Sequence, residues 1–426
     1  MQNQKIMELK KYKLYEIADL NKNSISNSDN TFSEIIYLDT SSITENVISA
    51  TCVVATHEAP SRAQRRVEKN TILYSTVRPR LKHYGILSSP ETNLIVSTGF
   101  VTIDVKSEFL NSVDARFLFL LLTQPHITAY IATIADSAVS AYPSFNPSDI
   151  SALEFEFPEM NIQKHIADIW EHYDRKIGLN RQINDNLEAM SKQLYDYWFV
   201  QFDFPNKEGK PYKSSGGVMA WNEKLKREIP QGWSNGVLSD VANITMGQSP
   251  DGSSYNEDGE GIIFYQGSTD FGLRFPDIRQ YTTSPSRYAN KGDILMSVRA
   301  PVGALNIANN DCCIGRGLSA LSSKIGSMTH LYYLMNDFRL KFEGMNSAGT
   351  TFGSITKDEL FSLPVIIPTK SVISEFEQVC EPIFNKQMII GEEINALTKQ
   401  RDELLPLLMN GQASVNYHLS VFYTKR

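Results

Sequence analysis

The rhythm of apolar and polar positions changes several times along this 426-residue chain. The first hundred residues contain short β-branched and aromatic runs, KLYEIADL, EIIYLDTSSI, TCVVAT and TILYSTVRP. Polar stretches such as NKNSISNSDN separate them, a pattern that predicts short strands in a strand-rich domain. Residues 115–133 (ARFLFLLLTQPHITAYIAT) take a helical spacing, broken around Gln124-Pro125 because proline lacks the N–H a helix interior needs. The polar loop DSAVSAYPSFNPSD then leads into the strand ALEFEFP. A long amphipathic stretch follows, in which Ile183, Leu187, Met190, Leu194 and Tyr197 alternate steps of four and three, the spacing of a coiled-coil seam.

The second half repeats this order. VLSDVANI matches LYEIADLN with Leu238 over Leu14, 224 positions on, and GDILMSVRAP matches NTILYSTVRP at an offset of 222. NSAGTTFGSITKDELFSLPVIIP stands over DSAVSAYPSFNPSDISALEFEFP at 210, with Pro368 on Pro158. An offset that drifts this way is expected when loops change length and the scaffold is kept. It then holds at 210 for about forty residues, where Ile390, Ile394, Leu397, Arg401, Leu404 and Leu408 form a second seam. Arg401 departs from it and is expected to snorkel or to mark a register.

Between the halves, residues 201–232 are rich in Pro, Gly and Ser, reading as a polar linker. The predicted divisions are a strand-rich domain over 1–157, a long helix over 158–200, the linker 201–232, a second strand-rich domain over 233–367, a second long helix over 368–411 and a tail over 412–426. The fold class is therefore α+β, with two globular domains, two long helices paired as an antiparallel coiled coil and an internal pseudo-twofold repeat. At ~1.5 Å per residue, forty helical residues would form a rod of roughly 60 Å. Two similar heads on such a rod suit a target with two separated sites.

Composition is that of a water-soluble globular protein, with no apolar run long enough to span a bilayer and no secretory h-region, so a cytoplasmic location is expected. Cys52, Cys312, Cys313 and Cys380 lack metal-binding spacing and are expected to be reduced, buried thiols. The formal net charge of −7 argues against coating nucleic acid by bulk attraction. Locally, however, Arg62, Arg65, Arg66, Lys69, Arg78, Arg80 and Lys82 face a single acid, Glu68.

Catalytic motifs are missing. There is no Pro-Pro dipeptide for an amino-directed methyltransferase motif, and the one Gly-Lys, Gly209-Lys210, precedes Pro211 and so makes no P-loop. Neither Pro250-Asp251 nor Pro276-Asp277 is followed by the acid-x-Lys triplet of metal nucleases. Gly315-Arg316-Gly317 lacks a third glycine and reads as a turn or backbone contact, and His57, His83 and Cys52 make no more than a chance grouping. No catalytic residue, bound cofactor or metal is expected.

What remains is a binding surface. Arg78, Arg80, Lys82 and His83 follow the strand TILYSTV, while Arg299 and Arg316 take comparable places in the second half. Arginine can bind guanine bidentately, glutamine can bind adenine, and lysine and hydroxyls suit phosphates. Tyr265, Gln266 and Ser268 end another strand, and the loops holding Ser140, Tyr142 and Ser144 and holding Thr350 and Thr351 offer hydroxyls and backbone N–H groups. These residues form the expected DNA contacts.

The chain closely resembles the specificity subunits of type I restriction-modification systems over nearly its whole length. The resemblance rests on the segment LYDYWFVQFDFPNKEGKPYKSSGGVMAWNEKLKREIPQGW, on the repeated domain, on its NSAGTTFGSITKDELFSLPVIIP ending and on the paired helices. It implies two target-recognition domains, each reading half of a bipartite, asymmetric site in double-stranded DNA, held apart by two conserved helices. It implies two partner modification subunits that carry S-adenosylmethionine and the adenine-N6 chemistry, and restriction subunits that join to translocate and cut DNA. No catalytic residue is implied in the chain itself. A self-sufficient methyltransferase or nuclease, or a coiled-coil scaffold indifferent to DNA, are the alternative readings.

Overall fold

The computed structural model describes residues 9–25, 31–137, 142–347 and 353–413, with the side chains of 345–347 left aside. The chain divides into two compact units, Met1–Gly178 with Leu397–Arg426, and Leu179–Ala396. Each unit therefore takes its own share of both long helices, a division the predicted domain boundaries did not contain.

In the first unit, strands Ala18–Leu20, Phe100–Val105, Ile72–Ser75 and Tyr84–Ile86 form an antiparallel sheet in that spatial order. A second sheet orders Cys52–Ala55, Glu34–Leu38, Leu94–Ser97 and Ala63–Arg66, with Glu34–Leu38 and Leu94–Ser97 parallel. Lys10–Lys13 pairs with Glu154–Phe157 and closes the neck of the domain. Ile72–Ser75 is buried at all four positions, the polar Ser75 included. Helices Ala115–Leu122 and Pro125–Asp136 break where Pro125 predicts.

The second unit repeats this plan. Ala242–Met246, Leu318–Ser323, Ile294–Ser297 and Leu305–Ile307 make the antiparallel sheet. The other sheet again centres on a parallel pair, Ile262–Tyr265 with Cys312–Ile314. Ser234–Val237 pairs with Pro364–Ile367 at the neck. A single helix, Met328–Ser347, replaces the broken pair, as the absence of an internal proline allows.

The long helices are Met160–Tyr195, extended by a wider turn over Asp196–Val200, and Lys370–Met409. In the second unit they run antiparallel. Glu188 meets Gln387 at 2.8 Å, and further along the first helix Trp198 packs on the ring of Phe376, which comes earlier in the second.

The predicted seam needs correction on the first helix. Ile183 and Met190 are exposed, and Leu187 and Leu194 are half-buried. The buried heptad series is Gln163, Trp170, Ile177, Asn184, Ser191 and Trp198. Its polar members hid it from a reading that counts apolar residues. On the second helix Ile390, Ile394 and Leu408 are buried and Leu397 and Leu404 half-buried, in keeping with the prediction. There Ile373, Cys380, Gln387, Ile394, Arg401 and Leu408 stand 210 positions after the first series, so the repeat persists in the buried face. Arg401 is largely buried, with ion pairs to Asp174 at 3.6 Å and Asp402 at 2.8 Å.

The linker also differs from expectation, because it builds a core. Tyr195, Trp198, Phe199, Phe202, Phe204, Ile229 and Trp233 are buried together with Phe376. Tyr212 stacks on Phe204 at 4.6 Å, and strands Met219–Asn222 and Arg227–Pro230 form a hairpin. Asp203 accepts hydrogen bonds from the Ser214 N–H at 2.7 Å and hydroxyl at 2.6 Å, fixing the polar turn over this aromatic floor.

Candidate nucleic-acid interface

Corresponding strand ends in the two units gather the exposed polar residues. In the first unit, backbone joins two of the predicted loops. The Arg78 N–H donates to the Pro143 carbonyl at 2.8 Å, the Phe145 N–H donates to Thr76 at 3.1 Å, and Val77 bridges Ser144. Arg78 takes a left-handed conformation (φ 49°), costly for a residue with a Cβ, and its guanidinium lies 5.0 Å from the ring centre of Tyr142. Both side chains are exposed.

Three neighbours are committed elsewhere. Arg80 pairs with Asp136 at 2.8 Å and Lys82 with Glu45 at 2.5 Å. The His83 Nδ1 lies 2.7 Å from the Ile43 carbonyl and 3.0 Å from the Thr44 hydroxyl. Arg80 and Lys82 are exposed but carry acidic partners, whereas Arg78 lies over the exposed ring of Tyr142. Ser140, Thr350 and Thr351 lie outside the described residues.

A further group adjoins Arg78, on residues outside the predicted contacts. The Thr98 N–H donates to the Arg62 carbonyl at 2.8 Å, and the Thr76 N–H to Gly99 at 2.9 Å, so the Arg62 and Arg78 segments share one turn. Beside it, the Tyr37 hydroxyl donates to Asp39 at 3.1 Å. Burial opposes the Asp39 charge, but hydrogen bonds from the Thr40 N–H, Tyr37, Ser41 and Ser97 outweigh it and hold the carboxyl below its ordinary value. Asp39 therefore stays an acceptor at neutral pH. Its place at the end of a parallel strand was the available signal.

The second unit has the corresponding arrangement. Arg299 bridges Ser354, the Ala300 N–H donates to Gly353 at 3.0 Å and the Ile355 N–H to Val298 at 3.0 Å. The turn Gly315-Arg316-Gly317 lies between this loop and Gln266. The Gly315 N–H donates to Tyr265 at 2.8 Å, the Val298 N–H to Gly317 at 2.9 Å, and the Arg316 N–H to the Ser249 hydroxyl at 3.2 Å. A Cβ on Gly317 would come within 2.6 Å of the Gln266 carbonyl oxygen, so glycine is required by close approach of two backbones. Arg299, Arg316, Gln266 and Gln248 are exposed around this turn, and Ser268, half-buried, opens the turn Ser268–Asp270.

Tyr265 must be removed from the set. It is fully buried in the cluster with Leu295, Ile314 and Leu318, and burial raises its phenol well above the ordinary value. The strand Ile262–Tyr265 ends with both Phe264 and Tyr265 buried, and the first exposed residue after it is Gln266.

No group of His, Cys, Asp and Glu suited to a metal ion occurs among the described residues. Cys312, Cys313 and Cys380 are buried, as expected, whereas Cys52 is exposed. Burial raises the Cys312 and Cys380 thiols to about 12, leaving both protonated and unreactive at neutral pH. No single described helix is long and apolar enough to cross a membrane.

Comparison with known proteins matches the repeat. The model of the type I restriction modification DNA specificity domain fits residues 7–189 and again 230–400. The type I restriction enzyme HindI specificity subunit of Haemophilus influenzae is 25% identical, over 94% of this chain and 99% of that protein. The putative type I restriction enzyme MjaX specificity subunit of Methanocaldococcus jannaschii is 33% identical over 72% of this chain and 69% of its own. The crystal structure of the type I restriction-modification system S subunit from M. genitalium shares the fold, with a TM-score of 0.57 at 15% identity, covering 96% of this chain and 98% of that one.

Proposed function

Since the chain belongs to the type I restriction modification DNA specificity family, we propose that its two units read the two halves of one bipartite DNA site through their strand-end loop clusters. The chain is a DNA specificity subunit and is not itself an enzyme; catalysis lies in partner subunits. The observation that carries the two-half reading is the repetition of the cluster. Val77 bridges Ser144 in one unit and Arg299 bridges Ser354 in the other, the same bridge of the same fold. Each bridge carries an arginine, Arg78 one position on in the first unit and Arg299 itself in the second.

In the second unit Arg316 and Arg299 present guanidinium forks suited to guanine O6 and N7, and Gln266 and Gln248 present amides suited to adenine N6 and N7. In the first, Arg62 and Arg78 supply cations, Tyr37 is tied to the acceptor Asp39, and Asp39 can accept a hydrogen bond from a cytosine or adenine amino group. The backbone N–H groups and hydroxyls of the flanking loops suit phosphates. The partners on this reading are two modification subunits that bind S-adenosylmethionine and methylate adenine N6, with restriction subunits joining the same assembly. The net charge of −7 leaves them much of the phosphate contact.

The test is methylome sequencing of a host expressing this chain with its modification subunit. A new bipartite N6-methyladenine motif, lost when this chain is omitted, is the expected result. An unchanged methylome with all subunits expressed would overturn the reading.

A further inference from the structure

One segment of the second unit links its reading loop to both long helices. The Arg274 side chain is only 5% exposed and lies between the rings of Tyr332 and Phe384, at 5.3 and 5.0 Å from their centres. Its Nη1 donates to Glu188 Oε2 at 3.1 Å and its Nη2 to Gln387 Oε1 at 3.1 Å. Gln387 Nε2 donates to the same Glu188 oxygen at 2.8 Å. One planar guanidinium thus holds a residue of each helix, a geometry a lysine ammonium cannot reproduce. Next to it, Phe275 fills a notch at Gly391, where a Cβ would approach the ring to 2.7 Å.

The other end of the segment reaches the interface. Asp270 accepts from the Gln266 N–H at 2.9 Å, and its carbonyl accepts from the Asp277 N–H at 2.7 Å. Gly272 exchanges hydrogen bonds with the Asn306 side chain at 3.2 and 3.1 Å, and the Arg274 carbonyl accepts from the Ile307 N–H at 3.0 Å. The loop bearing Gln266 and Ser268 is thus held at Asn306 and Ile307 and has two further anchors. One is the strand Ile262–Tyr265, and the other is the helix pair, reached through Arg274.

We propose that Arg274 is a positioning residue for DNA reading: it fixes the Gln266–Asp270 loop to the two long helices, and discrimination of the second half-site depends on that fixation. The inference rests on the half-site reading above and goes beyond it, since Arg274 is buried and lies outside the residues assigned to DNA contact. A buried charge adds little to adhesion compared with an apolar side chain of similar volume, but it imposes one orientation. A reading loop displaced by 1 Å loses the bidentate geometry on which base choice depends.

The experiment uses the full chain co-expressed with its modification subunit, with methylation mapped genome-wide for wild type and for Arg274→Met, which keeps the apolar packing between Tyr332 and Phe384. The preference for the consensus second half-site over single-mismatch sites should fall about ten-fold, while the first half-site consensus stays unchanged. An unchanged consensus, or an equal loss across both halves, would overturn the proposal. If Arg274→Met fails to assemble, Glu188→Gln removes the charge and keeps the shape. It must relax the same half alone, and no relaxation there overturns the proposal equally. A wild-type map without any bipartite motif would instead sink the half-site reading on which this rests.

Discussion

Arg316 stands at the tip of a turn whose backbone has little room to shift, because Gly317 is pressed against Gln266 and the Arg316 N–H is held by Ser249. A guanidinium on so fixed a base suits recognition of one base pair. Arg316→Ala should cost about 1–3 kcal/mol of binding and relax one position of the motif, measured by competition of the assembled complex against sites varied one base at a time. Arg80→Ala is the contrasting case. Its exposed pair with Asp136 contributes little, so binding should change by less than about 0.5 kcal/mol. The sequence placed these residues on loops but could not rank them. Arg78, Arg80 and Lys82 look equivalent in a string, and only the tertiary placement of Asp136 and Glu45 separates them. Tyr265 failed because the end of its strand is buried on both faces, Phe264 and Tyr265 alike, which the string does not show.

A second expectation at this scale concerns His330. It is buried against Phe199 at 4.5 Å and Tyr195 at 5.7 Å, and burial lowers its pKa from 6.5 to about 3. The unfolded chain therefore binds a proton below pH 6.5 that the folded chain refuses. The stability this residue allows is complete above that pH and falls by about 1.4 kcal/mol per unit as pH drops toward 3. Melting temperature should decline from pH 7 to pH 5 in wild type and less steeply in His330→Phe. Equal slopes would contradict this assignment.

The first long helix buries polar side chains where an ordinary seam carries leucine. Asn180 Nδ2 and Asn184 Oδ1 are buried without a hydrogen-bond partner among the described residues, and an unsatisfied buried polar atom costs about 1–3 kcal/mol. Asn184→Leu should therefore raise the melting temperature of the purified chain, and a lower value would show that Asn184 is satisfied in solution. These residues also explain why the helix was legible while its buried face was not. Its length and both ends follow from the apolar periodicity. The periodicity of Ile183, Met190 and Tyr197, however, marks an exposed stripe one residue before the buried one. In the second helix the predicted positions Ile390, Ile394 and Leu408 are buried, although Val379, Ile389 and Leu407 are exposed and Gln387 is buried. The linker was misread for a related reason. Its glycines, serines and prolines outnumber the few large aromatics that decide its packing, and Phe202, Phe204 and Trp233 come together only when the chain turns back on itself.

For the molecule as a whole, the repeat is the strongest legible feature, because strand order depends on which buried runs exist and loops vary without disturbing it. Recognition is thereby separable from scaffold. In the second unit the antiparallel pair Ser234–Val237 with Pro364–Ile367 closes the domain, and the segment between those strands meets the scaffold through Arg274, Phe275, Lys291, Ser327 and the helix Met328–Ser347. Replacing residues 238–363 with the corresponding segment of another specificity subunit should keep both neck strands and so keep assembly. Because the first unit is untouched, the methylated motif should change in one half only. The replaced segment must itself bring an arginine at the place of Arg274, since Glu188 and Gln387 remain in the recipient helices. A donor with an apolar residue there should assemble yet methylate with a blurred second half, and restoring arginine should sharpen it. Methylome maps of the two chimaeras, differing at that one position, decide whether the helices only carry the reader or also aim it.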